Sequence, residues 1–331
     1  MQLNRSQLTE AQSDRAVGAI VGTAVADALG AHYEFDRPPL GDDERAQMLG
    51  GGLGPFAPGE WTDDTTMAWC ILDVAASGLD LRTEEGLTAV SRNFREWSET
   101  EPKDIGNQTA RVLNTAGPAP TAAQLRHVSE KLHEMTRHTG GNGSLMRTAA
   151  VPLRYLGDRP AVAEAAAAVS ALTHWDEHAR SGCALWSLAI EHAVVHGEID
   201  VRSGLAHLSP AEASFWAEKL DEAETEAPGK FNPNGWVVTA LQAAWSAIAQ
   251  TPVPEHDPGT HYVEALNTAI RIGNDTDTVA AIAGGLLGAR WGASAVPTEW
   301  RALSHGYPGI PGDFLITLVH DAVRAGLRSR P

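Results

Sequence analysis

The chain has 331 residues, 43% of them hydrophobic and 20% charged, with 42 acidic against 25 basic side chains and a formal net charge of −17. That acid excess argues against duplex nucleic acid or an anionic membrane as partner, because Lys and Arg on phosphate hold such surfaces; the plainest reading of the surplus is solubility. A chain of this length buries roughly three quarters of its unfolded surface, so it needs no staples, and Cys70 and Cys183, each inside an apolar helical pattern, read as buried free thiols in a reducing, cytoplasmic setting.

The first ten residues, MQLNRSQLTE, lack the apolar stretch of a secretion signal. From Ala16 to Leu29 the larger apolar residues Val17, Ile20, Val21, Val25 and Leu29 make one stripe of an α-helix. Gly18, Gly22 and Ala26 follow each other at i+4, a flat row along which another helix can approach closely. Residues 36–60, rich in Gly and Pro, form a loop that ends at Thr62. A helix then starts, with Met67, Ile71, Leu72 and Val74 on its apolar side. Further helical patterns, most of them rich in Ala, fall at 85–98, 106–115, 121–136, 144–155, 160–172, 177–196, 210–222, 236–249, 261–272, 277–291 and 313–328. The longest nearly unbroken apolar run, Val279 to Ala289, is far short of the roughly 20 residues that cross a bilayer. No run of β-branched residues alternates with polar ones. The pattern predicts an all-α fold, one domain over 1–331, with surface loops at 36–60, 222–235 and 292–312.

Two acidic clusters stand out, Thr62-Asp63-Asp64-Thr65 and Asp275-Thr276-Asp277-Thr278. Each follows a Gly-bearing loop and precedes an apolar helical pattern, so each belongs at a helix N-terminus, where Asp and Thr are ordinary caps. One helix start uses one cap, however, and here four polar side chains occur in a row, twice. Asp63, Asp64, Asp275 and Asp277 with the hydroxyls of Thr62 and Thr278 make six oxygen donors with no Cys or His among them. Such a set suits Mg²⁺ or Mn²⁺ better than Zn²⁺, and four carboxylates in one place call for about two dications. The clusters are 212 residues apart, 63 to 275, so the fold has to bring two helix starts together.

Gly140-Gly141-Asn142-Gly143-Ser144 reads either as a plain turn or as a glycine loop opening a helix, whose N–H groups suit a pyrophosphate. His174, in the Thr173-His174 pair between two helices, is either structural or a ligand contact. Asp27 reads as a ligand-side carboxylate or as a polar residue inside its helix satisfied by neighbours, the structural role being favoured.

Together these stretches resemble a known family. GAIVGTAVADALGAHYE (18–34), GEWTDDT (59–65), DIGNQT (104–109), GNGSLMR (141–147), TH (173–174) and GNDTDTVAAIAGGLLGARWG (273–292) are similar to the ordered motifs of the ADP-ribosylglycohydrolases. GEWTDDT and DIGNQT look most like the dinitrogenase-reductase-activating branch, whose members remove ADP-ribose from arginine side chains. The resemblance implies an all-α orthogonal bundle whose cleft holds two Mg²⁺ or Mn²⁺ ions, with Thr62, Asp63, Asp64, Asp275, Asp277 and Thr278 as ligands. It implies catalytic roles for Glu34, Asp63 and Asp104, with Asp104 meeting the arginine guanidinium. It places the diphosphate and distal ribose on Gly140, Gly141, Asn142, Gly143 and Ser144, and the ligand's phosphate or ribose side on His174. Ala26 departs from the family's usual Gly before Asp27, which bears on helix packing more than on chemistry. The implied substrate is ADP-ribosylarginine on a protein and the product ADP-ribose. Serine-linked ADP-ribose, O-acetyl-ADP-ribose or a modified nucleic-acid end as substrate, a non-catalytic ADP-ribose binder and a diphosphate hydrolase are the alternatives.

Overall fold

A computed structural model describes residues 7–35 and 37–329. Residues 1–6, which hold most of the stretch read for a secretion signal, and Asp36, the first residue of the predicted 36–60 loop, lie outside the described residues, as do residues 330–331.

In chain order the helices are α1 (Glu10–Gly30), α2 (Asp63–Ala76), α3 (Glu84–Ser98), α4 (Asn107–Ala116), α5 (Ala122–Thr136), α6 (Arg159–Ala171), α7 (Glu177–His196), α8 (Pro210–Thr225), α9 (Val237–Gln250), α10 (His261–Arg271), α11 (Thr276–Trp291), α12 (Thr298–Leu303) and α13 (Gly312–Arg328). A two-stranded antiparallel hairpin, β1 (His305–Gly306) with β2 (Ile310–Pro311), is the only sheet among the described residues. The fold is all-α, as the periodicity predicts. Local chemistry sets the boundaries. The Thr9 and Thr121 hydroxyls accept from the N–H groups of Gln12 and Gln124, and those glutamines answer back to the cap backbone. Ser209 and Asp158 cap α8 and α6, each with Pro in the first turn, and Gly197 ends α7 in the left-handed region.

Two stretches differ from expectation. The helix predicted over 144–155 is a 3₁₀ segment, Thr148–Arg154, because Pro152 has no N–H to donate and its ring crowds the preceding turn. The loop predicted over 292–312 contains the single-turn helix α12 and the hairpin, both too short to show a hydrophobic period. Cys70 and Cys183 are buried free thiols.

The arrangement that matters for function is the packing of α1 on α11, the most extensive helix pair in the molecule. Every residue of α1 from Ala16 to Gly30 is buried. Continued through Tyr33, this helix is long and apolar enough to cross a membrane by length and composition, yet it is walled in by protein. The row Gly18, Gly22, Ala26 does receive a neighbour, as its i+4 spacing predicts. A methyl group on Gly288 would collide with the carbonyl oxygen of Gly18, and one on Gly284 with the carbonyl oxygen of Gly22 and the Cβ of Ala26. Ala26 is tolerated because Gly284 leaves the space for its methyl. The helices thus touch backbone to backbone, and the C-terminal end of α1 lies beside the first turn of α11, where the Thr276 hydroxyl donates to the Gly30 carbonyl at 2.8 Å.

Candidate active site

The two acidic clusters, remote in sequence, meet. The Thr62 hydroxyl lies 3.2 Å from Asp64 Oδ2 and 3.3 Å from Asp277 Oδ2, and the Thr278 hydroxyl lies 3.4 Å from Asp64 Oδ2. Thr62 and Asp275 occupy the N-cap positions of α2 and α11, but neither makes a side-chain cap. Asp27 does that work for α2 from a neighbouring helix. Its carboxylate accepts the N–H of Thr62 at 3.0 Å, the N–H of Thr65 at 3.0 Å and the Thr65 hydroxyl at 2.6 Å, which bears out the structural reading of Asp27. Because the cap comes from α1, the carboxylates of Asp63 and Asp64 are not used up in capping α2.

Glu34, just beyond α1, is buried and held by the N–H of Leu53 at 2.9 Å. This loop can come so close only because residue 52 is glycine: its φ is +89°, and a methyl there would sit 2.5 Å from the Ala31 carbonyl and 2.7 Å from Glu34 Oε2. One oxygen each from Glu34, Asp104 and Asp277 lie within 4.8 Å of one another. Asp63 accepts the N–H of Gly106 at 3.3 Å, which ties the 104–106 turn to the first cluster.

The electrostatics are those of crowded, desolvated carboxylates. Burial pushes Asp63, Asp64 and Asp277 well above the ordinary carboxylate range, and repulsion adds to it, from Asp104 on Asp63, from Asp27 on Asp64 and from Glu34 on Asp277. Burial raises Asp104 as well, holds Glu34 up to about 7 and, despite the hydrogen bonds to Thr65 and Thr62, holds Asp27 up to about 6. Among the described residues no Lys, Arg or His forms an ion pair with any of these groups or with Asp275, and Asp64 Oδ1 is buried with no hydrogen-bond partner. A buried, all-oxygen set with an orphaned carboxylate oxygen and no protein counter-charge fits a hard divalent cation.

The sign of the resulting pH effect is fixed. These carboxyls keep their protons to higher pH in the folded chain than in the unfolded one. The folded state therefore binds the extra protons between the ordinary range near 4 and about 7. The cation-free protein should lose melting temperature as pH rises through that window, with a shallower fall in Asp277→Asn. At pH 8, Mg²⁺ or Mn²⁺ at a hundredfold excess over its Kd should raise the melting temperature by about 4 °C. Calorimetry in chelator and in cation checks both, and a flat cation-free profile would contradict this account of the site.

A cavity of about 420 Å³ opens over the carboxylates. Glu34, Asp63, Asp104, Asp275, Asp277 and Thr278 line it, together with Gly141, Asn142, Gly143 and His174. Other predicted residues stand elsewhere. Thr62 and Asp64 are buried and do not line this cavity, Thr62 lining a neighbouring one instead. Gly140 gives its carbonyl to the Val237 N–H. Ser144 is turned into the interior, where its hydroxyl takes the Ser170 hydroxyl at 2.9 Å and the Cys183 thiol at 3.4 Å. The glycine loop opens a single 3₁₀ turn, Asn142–Ser144, rather than an α-helix, so no long helix dipole stands behind it. The Asn142 amide donates to Asp275 Oδ2 at 2.8 Å and to the Asn234 carbonyl at 3.1 Å, which makes it a support for the second cluster as well as part of the wall. A larger cavity of about 850 Å³, between the start of α1 and α13, has none of these residues and borders the ends of the described chain.

Sequence reasoning missed two residues that shape the site. Buried Asn234 accepts the N–H of Asp275 at 2.9 Å and donates to the Gly273 carbonyl at 3.0 Å, so it aims the second cluster. Gln108 lines the cavity and clamps Thr139 and Thr173 through their carbonyls, at 3.0 and 2.8 Å. The Asn-Pro-Asn-Gly run at 232–235 and the full length of DIGNQT were the available signals.

An all-α fold with a buried carboxylate cluster under a glycine-loop cavity defines a hydrolase site of the kind that works with a hard cation. The family model described as ADP-ribosylglycohydrolase matches residues 8–330, and the chain belongs to that family: it is an enzyme that hydrolyses glycosidic bonds to ADP-ribose. It is similar to the ADP-ribosylarginine hydrolase Tri1 of Pseudomonas putida, 30% identical over 91% of this chain and 77% of that one. The ADP-ribosyl-[dinitrogen reductase] glycohydrolase of Rhodospirillum rubrum is 28% identical over 87% of this chain and 89% of that one. A solved structure named ADP-ribosylglycohydrolase-related protein complex superposes with a TM-score of 0.71 over 96% of this chain and all of that one. At 24% identity it speaks for the fold.

Proposed function

We propose that the enzyme removes ADP-ribose from arginine side chains of modified proteins, using two divalent cations, Mg²⁺ or Mn²⁺, held by Thr62, Asp63, Asp64, Asp275, Asp277 and Thr278. The observation that carries the arginine linkage is the position of Asp104. It lines the 420 Å³ cavity and also a second one of about 410 Å³, walled by Phe56, Trp61, Trp97 and Tyr307, and with Asp63 it forms their common border. Lys103, which lines that second cavity, is tied to Glu60 at 2.6 Å, so Asp104 is left for a cation from the substrate. A guanidinium leaving past Asp104 finds a bidentate acceptor and then aromatic walls for its aliphatic stem. The name of the Pseudomonas putida relative points to the same linkage, and that of the Rhodospirillum rubrum relative to an ADP-ribosylated protein as substrate.

The bond broken joins the ribose anomeric carbon to a guanidinium nitrogen, and positive charge grows on the sugar as it breaks. The cations, when bound, would neutralise the carboxylates and hold the ribose hydroxyls. Glu34, buried at the edge of the cluster, takes a proton from the attacking water and passes it to the departing guanidine, which leaves as guanidinium. Asp104 orients that guanidinium throughout. His174, with Gly141, Asn142 and Gly143 of the glycine loop, keeps the diphosphate and distal ribose in place.

A screen of arginine-, serine- and acetyl-linked ADP-ribose, with and without Mg²⁺ or Mn²⁺, tests this. Arginine-linked material should turn over fastest. Asp104→Ala should cut kcat/KM on it by about a hundredfold while leaving the affinity for free ADP-ribose unchanged. Preference for an oxygen linkage, or indifference to Asp104→Ala, would reject arginine as the substrate class.

A further inference from the structure

Arg147 is fully buried and has no carboxylate partner among the described residues. Its guanidinium lies over the Phe94 ring at 4.7 Å, touches Met67 Sδ at 3.7 Å, and leaves Nε without an acceptor. Its strongest contact is a hydrogen bond from Nη2 to the Thr173 hydroxyl oxygen, at 2.8 Å; a second reaches the Val169 carbonyl at 3.3 Å. The Thr173 hydroxyl in turn sits 2.8 Å from Nδ1 of His174. Thr173 and His174 are both buried, and the other face of the imidazole, at Nε2, looks onto the glycine loop: a methyl on Gly143 would come within 3.3 Å of Nε2 and one on Gly141 within 3.5 Å.

The direction of these hydrogen bonds follows from counting protons. A guanidinium only donates, so the Thr173 oxygen is an acceptor toward Arg147. The hydroxyl has one proton of its own, and in this dry setting His174 Nδ1 is the acceptor available to it. If Nδ1 carried the imidazole proton instead, the hydroxyl would accept twice and its own proton would be stranded in the interior, which is costly. Nδ1 is therefore bare, and in a neutral ring the proton is on Nε2. Burial and then the charge of Arg147 hold His174 well below the usual histidine range, so the ring is neutral.

We propose that Arg147 and Thr173 are positioning residues that lock His174 as the neutral Nε2–H tautomer, making it a hydrogen-bond donor to an anionic oxygen of a ligand lying on the glycine loop. The ligand half of this rests on reading the cavity as an ADP-ribose site; the tautomer half does not. The arrangement answers how an acidic chain presents a donor to a diphosphate in a cavity lined by carboxylates. The cation stays one residue back, behind Thr173, where the neighbouring carboxylates cannot pair with it, and the group at the cavity wall is an N–H whose proton is fixed.

The test is ¹⁵N NMR of the imidazole nitrogens in the full-length, cation-free protein at neutral pH, with His174 assigned through His174→Gln. The expected spectrum has an unprotonated Nδ1 and a protonated Nε2. Thr173→Val should release the lock, giving a mixture of tautomers and about tenfold weaker binding of ADP-ribose by calorimetry, and Thr173→Ser should restore both. An Nδ1–H tautomer or an imidazolium in the unaltered protein overturns the proposal, and that measurement decides it even if Thr173→Val fails to fold. A folded Thr173→Val with the tautomer and affinity unchanged also overturns it. If the tautomer is as expected but His174→Ala binds ADP-ribose as tightly as the parent chain, the ligand half falls while the lock stands.

Discussion

Asp277→Ala is expected to lower turnover of ADP-ribosylarginine on the order of a thousandfold, with the folded structure retained. Asp277 faces both halves of the site. Its Oδ2 is 3.3 Å from the Thr62 hydroxyl of the first cluster, and one of its oxygens lies within 4.8 Å of oxygens from Glu34 and Asp104. Its carboxyl is held high by burial and by Glu34, so in the absence of a cation it is a source of strain rather than of stability. Removing it should leave the cation-free melting temperature at pH 8 equal to or above that of the parent chain, while the stabilisation by Mg²⁺ or Mn²⁺ disappears. Loss of a mainly structural residue would give the opposite pair, a lower melting temperature and a preserved response to cation. Steady-state kinetics and two melting curves separate the cases, and near-normal turnover in a folded Asp277→Ala would remove the carboxylate cluster from the mechanism.

The second large effect is on folding. Gly288→Val should destabilise the chain by more than about 4 kcal/mol and yield little soluble, folded protein. The added side chain would have to enter the backbone of α1 at Gly18, and neither helix has a flexible side chain there that can move aside. Gly117→Ala is the matched control: φ is +80° and ψ −171° there, but a methyl meets nothing within 4 Å, so only the backbone penalty of an essentially glycine-only conformation applies, about 1–3 kcal/mol. Chemical denaturation of both variants checks the contrast. A cooperative, near-native Gly288→Val would mean that α1 and α11 tolerate separation. The catalytic consequence follows from the same contact, because α11 has Asp275 at its N-cap and Asp277 in its first turn while α1 supplies Asp27 and leads to Glu34. Prising these helices apart pulls the cap of α2 away from the second cluster.

How far the sequence could be read depended on whether a signal was local. The helices with a full hydrophobic period, α3 or α13 for example, were legible because their apolar positions repeat along one face. The segment around Pro152 carries good helix formers on either side, whereas in the fold that one proline decides the hydrogen-bond pattern. Thr62, Asp63, Asp64, Asp275, Asp277 and Thr278 were legible as a group because four consecutive polar residues at a helix start exceed what capping requires. Asn234 was not. A lone asparagine in a Pro- and Gly-bearing loop resembles any turn residue until its amide is seen to receive the Asp275 N–H. Ser144 shows the reverse error: within GNGSLMR it belongs to a motif, yet its hydroxyl faces Ser170 and Cys183 in the interior.

By itself, then, the amino-acid order determined the helical class, the flat i+4 row on the first helix, and two acidic corners too rich in carboxylate to be caps. These are properties of neighbours along the chain, set by side-chain period and backbone chemistry. Tertiary structure alone decided that the row's partner is α11, that Asp27 relieves Asp63 and Asp64 of capping, and that Asp104 borders two cavities. It also decided that Arg147 reaches His174 through Thr173. Each of these depends on which distant surfaces come into contact, and that choice rests on the summed packing of the whole chain, which no local stretch encodes.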